Sequence, residues 1–368
     1  MITCRTAKAR PFLQWGKTTR SRVGIGGAAR LTGTAGWGKC LTILYRGLFM
    51  IFFLILLACL WFWLAGPGVE PLVARPPAAS APPLPEIVFP YFRFPENLTL
   101  CGEPVPLKEE AVRESLDREF TIIVWSRAQT TMWLKRAHRY FPELERKIRA
   151  ERLPLDLKYV VLVESDLRDR ARSQAGALGL WQFMGSTAQR FQLRVTEAVD
   201  ERLDFNAATD AALRYLKWLR ERFGSWALAL AAYNCGEGRV QKEMALQGVN
   251  NYYHLALPEE TERYVFRIIG AKIVLESPLT YGFQIPPEEL YAPLQYDEAE
   301  VILTQETSVR SLAEACGTYY KSFKTFNPWI RGTSLPPGRY RFWLPKGSAA
   351  RFREAQRSTP GIPPLISR

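Results

Sequence analysis

An acidic residue occupies an inward-facing position in the short apolar helix that the sequence predicts near residue 160. Leu157, Val160 and Val161 follow the i, i+3, i+4 spacing of a helix face that packs into a core, and Glu164 is the i+7 member of this stripe. Carboxylates are rarely buried unless a partner satisfies them or a reaction uses them. The pattern therefore predicts that Glu164 either accepts structural hydrogen bonds or acts as a catalytic group.

The segment after Glu164 combines glycines, polar residues and bulky residues, a composition typical of a loop that lines a cleft. Gly176 and Gly179 allow tight turns or the close approach of a ligand to the backbone. Trp181 and Phe183 offer flat apolar faces of the kind on which sugar rings stack. The segment therefore favours a carbohydrate-binding cleft beside Glu164.

Three motifs, in order along the chain, resemble those of the lytic transglycosylases with a goose-type lysozyme fold. The first is Glu164-Ser165 followed by Ser173-x-x-Gly176-Ala177-x-Gly179-Leu180-Trp181-Gln182-Phe183-Met184. The second is Ala232-Tyr233-Asn234-x-Gly236-x-Gly238-x-Val240, and the third is Leu257-Pro258 with Glu260-Thr261 and Tyr264-Val265. The motifs span about residues 150–280, and the resemblance is nearest to the membrane-bound lytic murein transglycosylases of the D type.

This resemblance implies a mainly α fold with a goose-type lysozyme-like catalytic domain. It also implies cleavage of the MurNAc-β-1,4-GlcNAc bond of peptidoglycan, in which the muramic acid 6-hydroxyl attacks its own anomeric carbon and leaves a 1,6-anhydro-MurNAc end. One carboxylate then suffices, and Glu164 would act first as acid and then as base, with its pKa raised by burial. By resemblance, the substrate-binding residues are Ser173, Gln182, Met184, Tyr233, Asn234 and Tyr264.

Two alternative functions stay open. A lysozyme-like muramidase on the same fold would hydrolyse the same bond with water, and a non-catalytic anchor would bind peptidoglycan without cleaving it. Glycosidases that use water normally need a second carboxylate. Asp166 would point away from Glu164 on a continuing helix. Glu260 lies in the third motif, where we expect it to make a structural hydrogen bond.

The net charge of +13 comes mostly from a predicted basic cytoplasmic arm, residues 1–46, which carries nine Lys and Arg residues and no Asp or Glu. The rest of the chain has a net charge of +4, so we predict no nucleic-acid partner. Residues 47–66 follow as a long apolar run, of the length that crosses a bilayer as a helix.

Because the basic residues precede this run, the sequence predicts a single-pass protein of the bacterial inner membrane with a periplasmic catalytic domain. The alternative is an exported lipoprotein, since Leu56-Leu57-Ala58-Cys59 is similar to a lipoprotein cleavage site. The expected partners are therefore peptidoglycan glycan strands and, through the N-terminal helix, the membrane. The sequence does not identify a protein partner.

The rest of the chain divides into four predicted parts. Prolines over residues 67–100 indicate an extended spacer. Helical patterns over residues 101–285 indicate the catalytic domain, with its core at 150–280. Residues 298–346 show a strand, a helical stretch and a strand, which resembles a divergent LysM module that binds N-acetylglucosamine-containing chains; the alternative is a structural extension packed on the catalytic domain. A flexible tail is expected over residues 347–368.

Within the catalytic domain, the sequence predicts a short helix that presents Tyr233 and Asn234 at its end. Ser225 is expected to cap this helix, and Gly236 and Gly238 are expected to end it. No cofactor or metal is expected, because the six cysteines and two histidines show no metal-binding spacing.

Overall fold

The structure is a computed structural model that describes residues 54–61 and 90–358, and the chain divides into two compact units, Met1–Val88 and Phe89–Arg368. The predicted arm, residues 1–46, lies outside the described residues, as do most of the predicted span 47–66 and residues 67–89 of the predicted spacer. Residues 54–61, inside the predicted span, form the helix α1. Among the described residues, no helix has both the length and the apolar character needed to cross a membrane.

The second unit is built mainly from helices, which confirms the expected fold class. Its helices are α2 (Glu110–Trp125), α3 (Arg127–Ala150), α4 (Val160–Ser165), α5 (Gly185–Arg190), α6 (Phe205–Phe223), α7 (Trp226–Cys235), α8 (Glu237–Gln247), α9 (Glu259–Glu276), α10 (Val309–Ala315), α11 (Tyr320–Phe326) and α12 (Ala349–Ser358). Its strands are β1 (Thr99–Leu100), β2 (Glu103–Pro104), β3 (Tyr296–Leu303), β4 (Thr307–Ser308), β5 (Ser334–Leu335) and β6 (Gly338–Pro345). Short 3-10 turns cover Leu155–Tyr159, Glu201–Leu203, Tyr252–His254, Pro278–Tyr281 and Pro287–Glu289.

Helix α7 runs through the core of the predicted catalytic domain. Every residue from Trp226 to Ala232 is buried, and the helix packs against α6, α8 and α9. A helix that is apolar on all faces is stable in water only when other elements surround it. Its C-terminal end therefore has a defined position, and it carries Tyr233 and Asn234.

Helix α9 is held against α2 by a buried ion cluster. Glu119 of α2 is only 2% exposed, and it accepts hydrogen bonds from Arg263 at 2.6 Å and from Arg267 at 3.2 Å. Removing one partner of a buried ion pair leaves an uncompensated charge, so such a cluster strongly favours one arrangement of the two helices. The cluster thereby sets the rotation of α9, which carries Tyr264.

The N-terminus of α7 is capped by a residue distant in the sequence and not by Ser225. No hydrogen bond from the Ser225 side chain caps the helix. Instead the Glu103 carboxylate accepts the Trp226 backbone N–H at 2.8 Å and the Ser225 hydroxyl at 3.1 Å, and it pairs with Arg220. The expectation for Ser225 is therefore wrong, because a carboxylate from β2 reaches the same free N–H groups.

The end of α7 also differs in part from the prediction. Gly236 ends the helix with a φ of 89°, a backbone conformation that favours glycine. Gly238, which was expected to share this role, lies inside the first turn of α8. A single glycine is enough to redirect the chain between the two helices.

Residues before β1 pack on the catalytic domain, so the predicted spacer ends earlier than residue 100. The ring of Phe92 contacts Tyr281, and that of Phe94 contacts Phe120 edge-on at a centroid distance of 5.6 Å. Leu100 is only 1% exposed. Phe92 and Phe94 thus pack against the core, which the proline pattern did not indicate.

The C-terminal residues form a separate core of the order strand, helix, helix, strand. Strands β3 and β6 pair antiparallel along their whole length, with Tyr296 opposite Pro345. The predicted helical stretch between them is two helices, α10 and α11, separated at Gly317, which has a φ of 68°. We refer to residues 296–358 as the C-terminal module.

Helix α12 shows that the expectation of a flexible tail from residue 347 is wrong for residues 349–358. Phe352 in this helix is completely buried and contacts Phe342 of β6 edge-on. An apolar side chain that fills a core fixes the helix that carries it. Residues 359–368 lie outside the described residues.

The C-terminal module packs directly on the catalytic domain. A β-bridge joins Val199 to Ile330, and the Trp343 indole N–H donates to Asp204 at the start of α6 at 3.2 Å. The structure is thus consistent with an extension packed on the catalytic domain, while a LysM identity stays a prediction.

We expect Glu103→Ala to destabilise the protein by about 1–2 kcal/mol, because it removes a charged acceptor from the N–H groups at the start of α7. Ser225→Ala should cost less, since its hydroxyl does not cap the helix. Urea unfolding of the purified variants, followed by circular dichroism, measures both. A larger loss for Ser225→Ala would contradict the capping role of Glu103.

Candidate active site

Glu164 lies at the end of α4, on the face that the sequence predicts. Leu157, Val160 and Val161 are completely buried, so the apolar stripe packs into the domain and Glu164 continues it. The Glu164 side chain is largely enclosed, and it lines a cleft. The stripe therefore places a carboxyl group at the boundary between the core and a space open to a ligand.

Helix α4 ends at Ser165, one residue after Glu164, so Asp166 does not lie on a continuing helix. Asp166 and Leu167 have left-handed backbone conformations, with φ of 54° and 55°. The Asp166 carboxylate accepts hydrogen bonds from the Trp133 indole N–H at 2.7 Å and from the Gln129 amide at 2.9 Å. Asp166 is therefore held by α3, and Glu164 lines the cleft near the end of α4.

All the residues that the resemblance assigns to the site line one cleft of about 870 Å³. They come from α4, from the loop between α4 and α5, from the end of α7 and from α9. The lining consists of Val163, Glu164, Ser173, Gln174, Ala175, Ala177, Gln182, Phe183, Met184, Thr187, Tyr215, Tyr233, Asn234, Cys235, Gly236, Glu237, Pro258, Glu260, Thr261, Tyr264 and Arg267. The fold therefore brings together residues that are up to 100 positions apart in the sequence.

The carboxyl group of Glu164 accepts a hydrogen bond from the hydroxyl of Tyr264. The Tyr264 O–H donates to Glu164 Oε1 at 2.5 Å. Burial, and to a smaller extent the charge of Glu260, raise the pKa of Glu164 to about 7, while the hydrogen bond from Tyr264 acts to lower it. Glu164 can therefore exchange a proton near neutral pH, which an ordinary glutamate cannot do.

The two tyrosines beside Glu164 remain neutral. Burial and the nearby Glu164 carboxylate raise the pKa of Tyr264 and that of Tyr233 well above the usual value. The Tyr233 hydroxyl donates to the Trp181 carbonyl at 2.8 Å, which joins the end of α7 to the loop. Both hydroxyls thus act as fixed hydrogen-bond donors around the carboxyl group.

Asn234 is oriented by the third motif. Its Oδ1 accepts a hydrogen bond from the Thr261 hydroxyl at 2.7 Å. Thr261 lies in the first turn of α9, one residue after Glu260. The second and third motifs are therefore linked by a direct side-chain contact at the cleft.

Ser173 and Gln182 hold the loop between α4 and α5 in shape. The Ser173 hydroxyl accepts the Ala177 N–H at 2.9 Å. The Gln182 amide nitrogen donates to the carbonyls of Ala171 at 3.0 Å and Gly179 at 2.7 Å. Both residues line the cleft, but the Gln182 amide nitrogen is used within the loop, so direct sugar binding through it stays a prediction.

Trp181 is a core residue that does not line the cleft, so the expectation that it provides a stacking surface for sugars is wrong, whereas Phe183 lines the cleft but is nearly buried. Trp181 is completely buried, with its indole N–H donating to Thr209 at 3.0 Å, and Phe183 is 2% exposed. Met184 is 44% exposed. Met184 therefore offers an apolar surface to a ligand at this end of the cleft.

Two further acids line the cleft. Glu237, which the sequence interpretation missed, accepts hydrogen bonds from Arg190 at 2.5 Å and Tyr215 at 3.0 Å. Burial acts to raise its pKa, but these bonds hold the pKa of Glu237 below its usual value, so it stays ionised. Glu260 is solvent-exposed at the start of α9. In the sequence, the signal that Glu237 lines the cleft is its position between Gly236 and Gly238 of the second motif.

Among the described residues, no group of three or more His, Cys, Asp or Glu side chains is arranged to hold a metal ion.

Residues 145–255 match the family model described as the Transglycosylase SLT domain. This range contains Glu164, Ser173, Gln182, Met184, Tyr233 and Asn234, while Tyr264 lies just beyond it. The match ends before the C-terminal module, whose LysM identity it does not test.

Curated proteins are also similar to part of this chain. The membrane-bound lytic murein transglycosylase D of Escherichia coli K12 is 31% identical over 226 residues, which are 60% of this chain and 49% of that protein. A putative tributyltin chloride resistance protein of an Alteromonas species is 36% identical over 129 residues, 34% of this chain and 60% of that protein. The chain thus spans about half the length of the transglycosylase that it matches.

Two solved structures also show similarity. An inactive mutant of the lytic transglycosylase Slt from Pseudomonas aeruginosa has a TM-score of 0.29 and 23% identity, covering 41% of this chain and 26% of that one. The 70 kDa soluble lytic transglycosylase from Escherichia coli has a TM-score of 0.35 and 19% identity, covering 50% of this chain and 33% of that one.

We expect Tyr264→Phe and Glu260→Gln to move the pKa of Glu164 in opposite directions. Loss of the Tyr264 hydroxyl removes a bond that favours the carboxylate, so the pKa should rise above about 7. Loss of the Glu260 charge removes a repulsion, so the pKa should fall. Nuclear magnetic resonance titration of carboxyl-labelled protein measures these values.

Glu259→Gln is the matched control for this titration. Glu259 precedes Glu260 directly, is exposed and does not line the cleft, so its neutralisation should leave the titration of Glu164 unchanged. A titration of Glu164 near the ordinary value of 4.5 in the unmodified protein, or shifts of the same sign in both cleft variants, would contradict this account.

Proposed function

We propose that this protein is a peptidoglycan lytic transglycosylase that cleaves the MurNAc-β-1,4-GlcNAc bond and leaves 1,6-anhydro-MurNAc ends. The observation that carries the proposal is the enclosed carboxyl group of Glu164, whose pKa is raised to about 7 in a cleft that is also lined by all six predicted substrate-binding residues. The match of residues 145–255 to the Transglycosylase SLT domain supports the reaction class.

In this mechanism Glu164 transfers one proton in each direction. Protonated Glu164 donates to the glycosidic oxygen, and the bond from that oxygen to the anomeric carbon breaks. The resulting carboxylate then takes the proton of the MurNAc 6-hydroxyl while the hydroxyl oxygen bonds to the anomeric carbon. The protons balance, Glu164 ends protonated, and no water is consumed.

The surroundings of Glu164 suit both halves of this cycle. Burial favours the neutral acid that the first step needs. The Tyr264 hydroxyl, fixed at 2.5 Å from Oε1, stabilises the carboxylate that the first step produces. A pKa near the working pH makes each transfer accessible, which is the usual requirement for a group that acts as both acid and base.

Hydrolysis on the same cleft is the second candidate, and the position of Glu260 favours it. Glu260 lines the cleft, and its charge acts on Glu164. A second carboxylate could activate water, as inverting glycosidases require. The two reactions differ in their products, because intramolecular attack gives anhydro ends that are one water lighter than the reducing ends left by hydrolysis.

We also propose that the protein is attached to the bacterial inner membrane and acts on glycan strands in the periplasm. The uncharged apolar run from Leu48 to Gly66 and the basic residues before it support this arrangement, and the Escherichia coli relative is named as membrane-bound. The C-terminal module would then bind glycan as a divergent LysM module, which its strand, helix, helix, strand order supports.

We expect Glu164→Gln to lower the release of soluble muropeptides from purified peptidoglycan by at least about 100-fold, because an amide can neither donate nor accept the transferred proton. Sedimentation with peptidoglycan should show that the variant still binds. Glu259→Gln, an exposed carboxylate outside the cleft, should retain activity. Mass spectrometry should show anhydro ends from the unmodified enzyme.

Each other outcome of this experiment points to a different function. Ordinary reducing ends would establish hydrolysis, and full activity of the Glu164→Gln variant would refute the role of Glu164. Binding without any release by the unmodified protein would indicate a non-catalytic anchor.

A second experiment tests glycan binding by the C-terminal module. Tyr319, which is 70% exposed, borders a groove with Tyr320, Arg310 and Thr333. Tyr319→Ala in the Glu164→Gln background should weaken binding to peptidoglycan about fivefold, since aromatic contacts contribute about 1 kcal/mol. Tyr91→Ala, which removes a 78% exposed tyrosine outside the module, should not. Equal binding of peptidoglycan by both variants would contradict glycan binding by the C-terminal module.

A further inference from the structure

The loop between α4 and α5, residues 166–184, carries three of the predicted substrate-binding residues but little regular structure. Its internal support consists of backbone hydrogen bonds between its own turns, such as Ser173 N–H to the Ala177 carbonyl at 3.0 Å and Gly179 N–H to the Ala171 carbonyl at 2.9 Å, and of the side-chain bonds of Ser173 and Gln182. The loop is built from turns and isolated β-bridges rather than from a helix or a long strand, so contacts from outside the loop also contribute to its shape.

Arg202, in the 3-10 turn Glu201–Leu203, supplies such contacts to the loop. Its Nη1 donates to the carbonyl of Gly176 at 3.1 Å and to that of Phe183 at 3.2 Å. The backbone carbonyl oxygen of Arg202 also lies close to Gly179 of the loop. A Cβ atom added to Gly179 would be only 2.0 Å from that oxygen. One residue thus contacts the loop at three positions, two of them next to cleft residues.

The guanidinium group of Arg202 is held in place by Asp200. Nε donates to Oδ1 at 2.9 Å and Nη2 donates to Oδ2 at 2.8 Å, which is a two-point contact between planar groups. Asp200 is completely buried, and the Arg202 side chain is only 10% exposed. The pair leaves Nη1 as the group that faces the loop.

Asp200 is in turn positioned by the C-terminal module. Its backbone N–H donates to the Trp329 carbonyl at 2.8 Å, and Val199 forms a β-bridge with Ile330. The Arg331 N–H donates to the Ala198 carbonyl at 2.9 Å. Residues 198–200 are thus paired with residues 329–331 in the manner of two short strands.

A continuous series of contacts therefore joins the module to the cleft. It runs from residues 329–331 to residues 198–200, then through Arg202 to the carbonyls of Gly176 and Phe183. We infer that Arg202 is a positioning residue for the cleavage reaction, and that the C-terminal module braces the substrate-binding loop through Asp200 and Arg202. This inference rests on the proposed function, and it assigns the module a role besides any glycan binding.

Arg202→Lys is the test, because lysine keeps the charge but cannot make the two-point contact with Asp200 and also reach both carbonyls. We expect release of muropeptides to fall about 10- to 100-fold, the effect of a small displacement of binding groups. Amide hydrogen exchange measured by mass spectrometry on the full chain should become faster over residues 173–184.

Arg194→Lys is the matched control. Arg194 also pairs with an acid, Glu201, and donates to a carbonyl, that of Arg339 in the module, but the hydrogen bonds of its side chain do not reach the loop 166–184. This variant should stay within about twofold of the unmodified activity, with unchanged exchange over residues 173–184. The contrast separates bracing of the loop from general attachment of the module.

Asp200→Asn provides a second variant if Arg202→Lys fails to fold, because it keeps one acceptor oxygen for Arg202. Unchanged activity and exchange in a folded variant would overturn the inference. So would equal losses in the Arg194→Lys control, or exchange that rises over the whole domain, since the pair would then act on general stability. If the unmodified protein releases no muropeptides, the proposed function fails, while the exchange measurements still decide whether Arg202 holds the loop.

Discussion

The enclosure of one carboxyl group is the constraint on which the site depends. Glu164 continues an apolar face, so the folding of α4 into the core takes the carboxyl group largely out of water. Charged groups are costly in such surroundings, which is why the pKa of Glu164 rises to about 7. The hydroxyl of Tyr264 limits this rise, so both protonation states are accessible near neutral pH.

The rest of the domain serves to keep this environment in place. Glu119 and its arginine partners fix α9 and thereby Tyr264, while Glu103 caps the central helix α7 that ends at Tyr233. Arg202 connects the loop of the cleft to the C-terminal module. These contacts are charged, well paired and largely shielded from solvent, so each strongly favours one arrangement of the elements that it joins.

Several features of the site could be anticipated from the sequence, and others could not. The inward position of Glu164 follows from helical spacing, which is a local property. The burial of Trp181 and Phe183 does not, because the same aromatic residue can face a ligand or a core, and the packing of α6 against the loop decided this. The prediction that the Ser225 side chain caps α7 failed for a similar reason. The acceptor of the Trp226 N–H is Glu103, which is 123 residues away in the sequence.

The sequence by itself determined the apolar face that carries Glu164, the helical character of the catalytic region and the three motifs that line the cleft. These depend on side-chain periodicity and turn residues, which act over a few positions. Only the tertiary structure decided that Tyr264 meets Glu164 across 100 residues and that residues 329–331 of the C-terminal module pair with residues 198–200. Such contacts depend on how separate elements pack, and local spacing contains no information about which distant partners will meet.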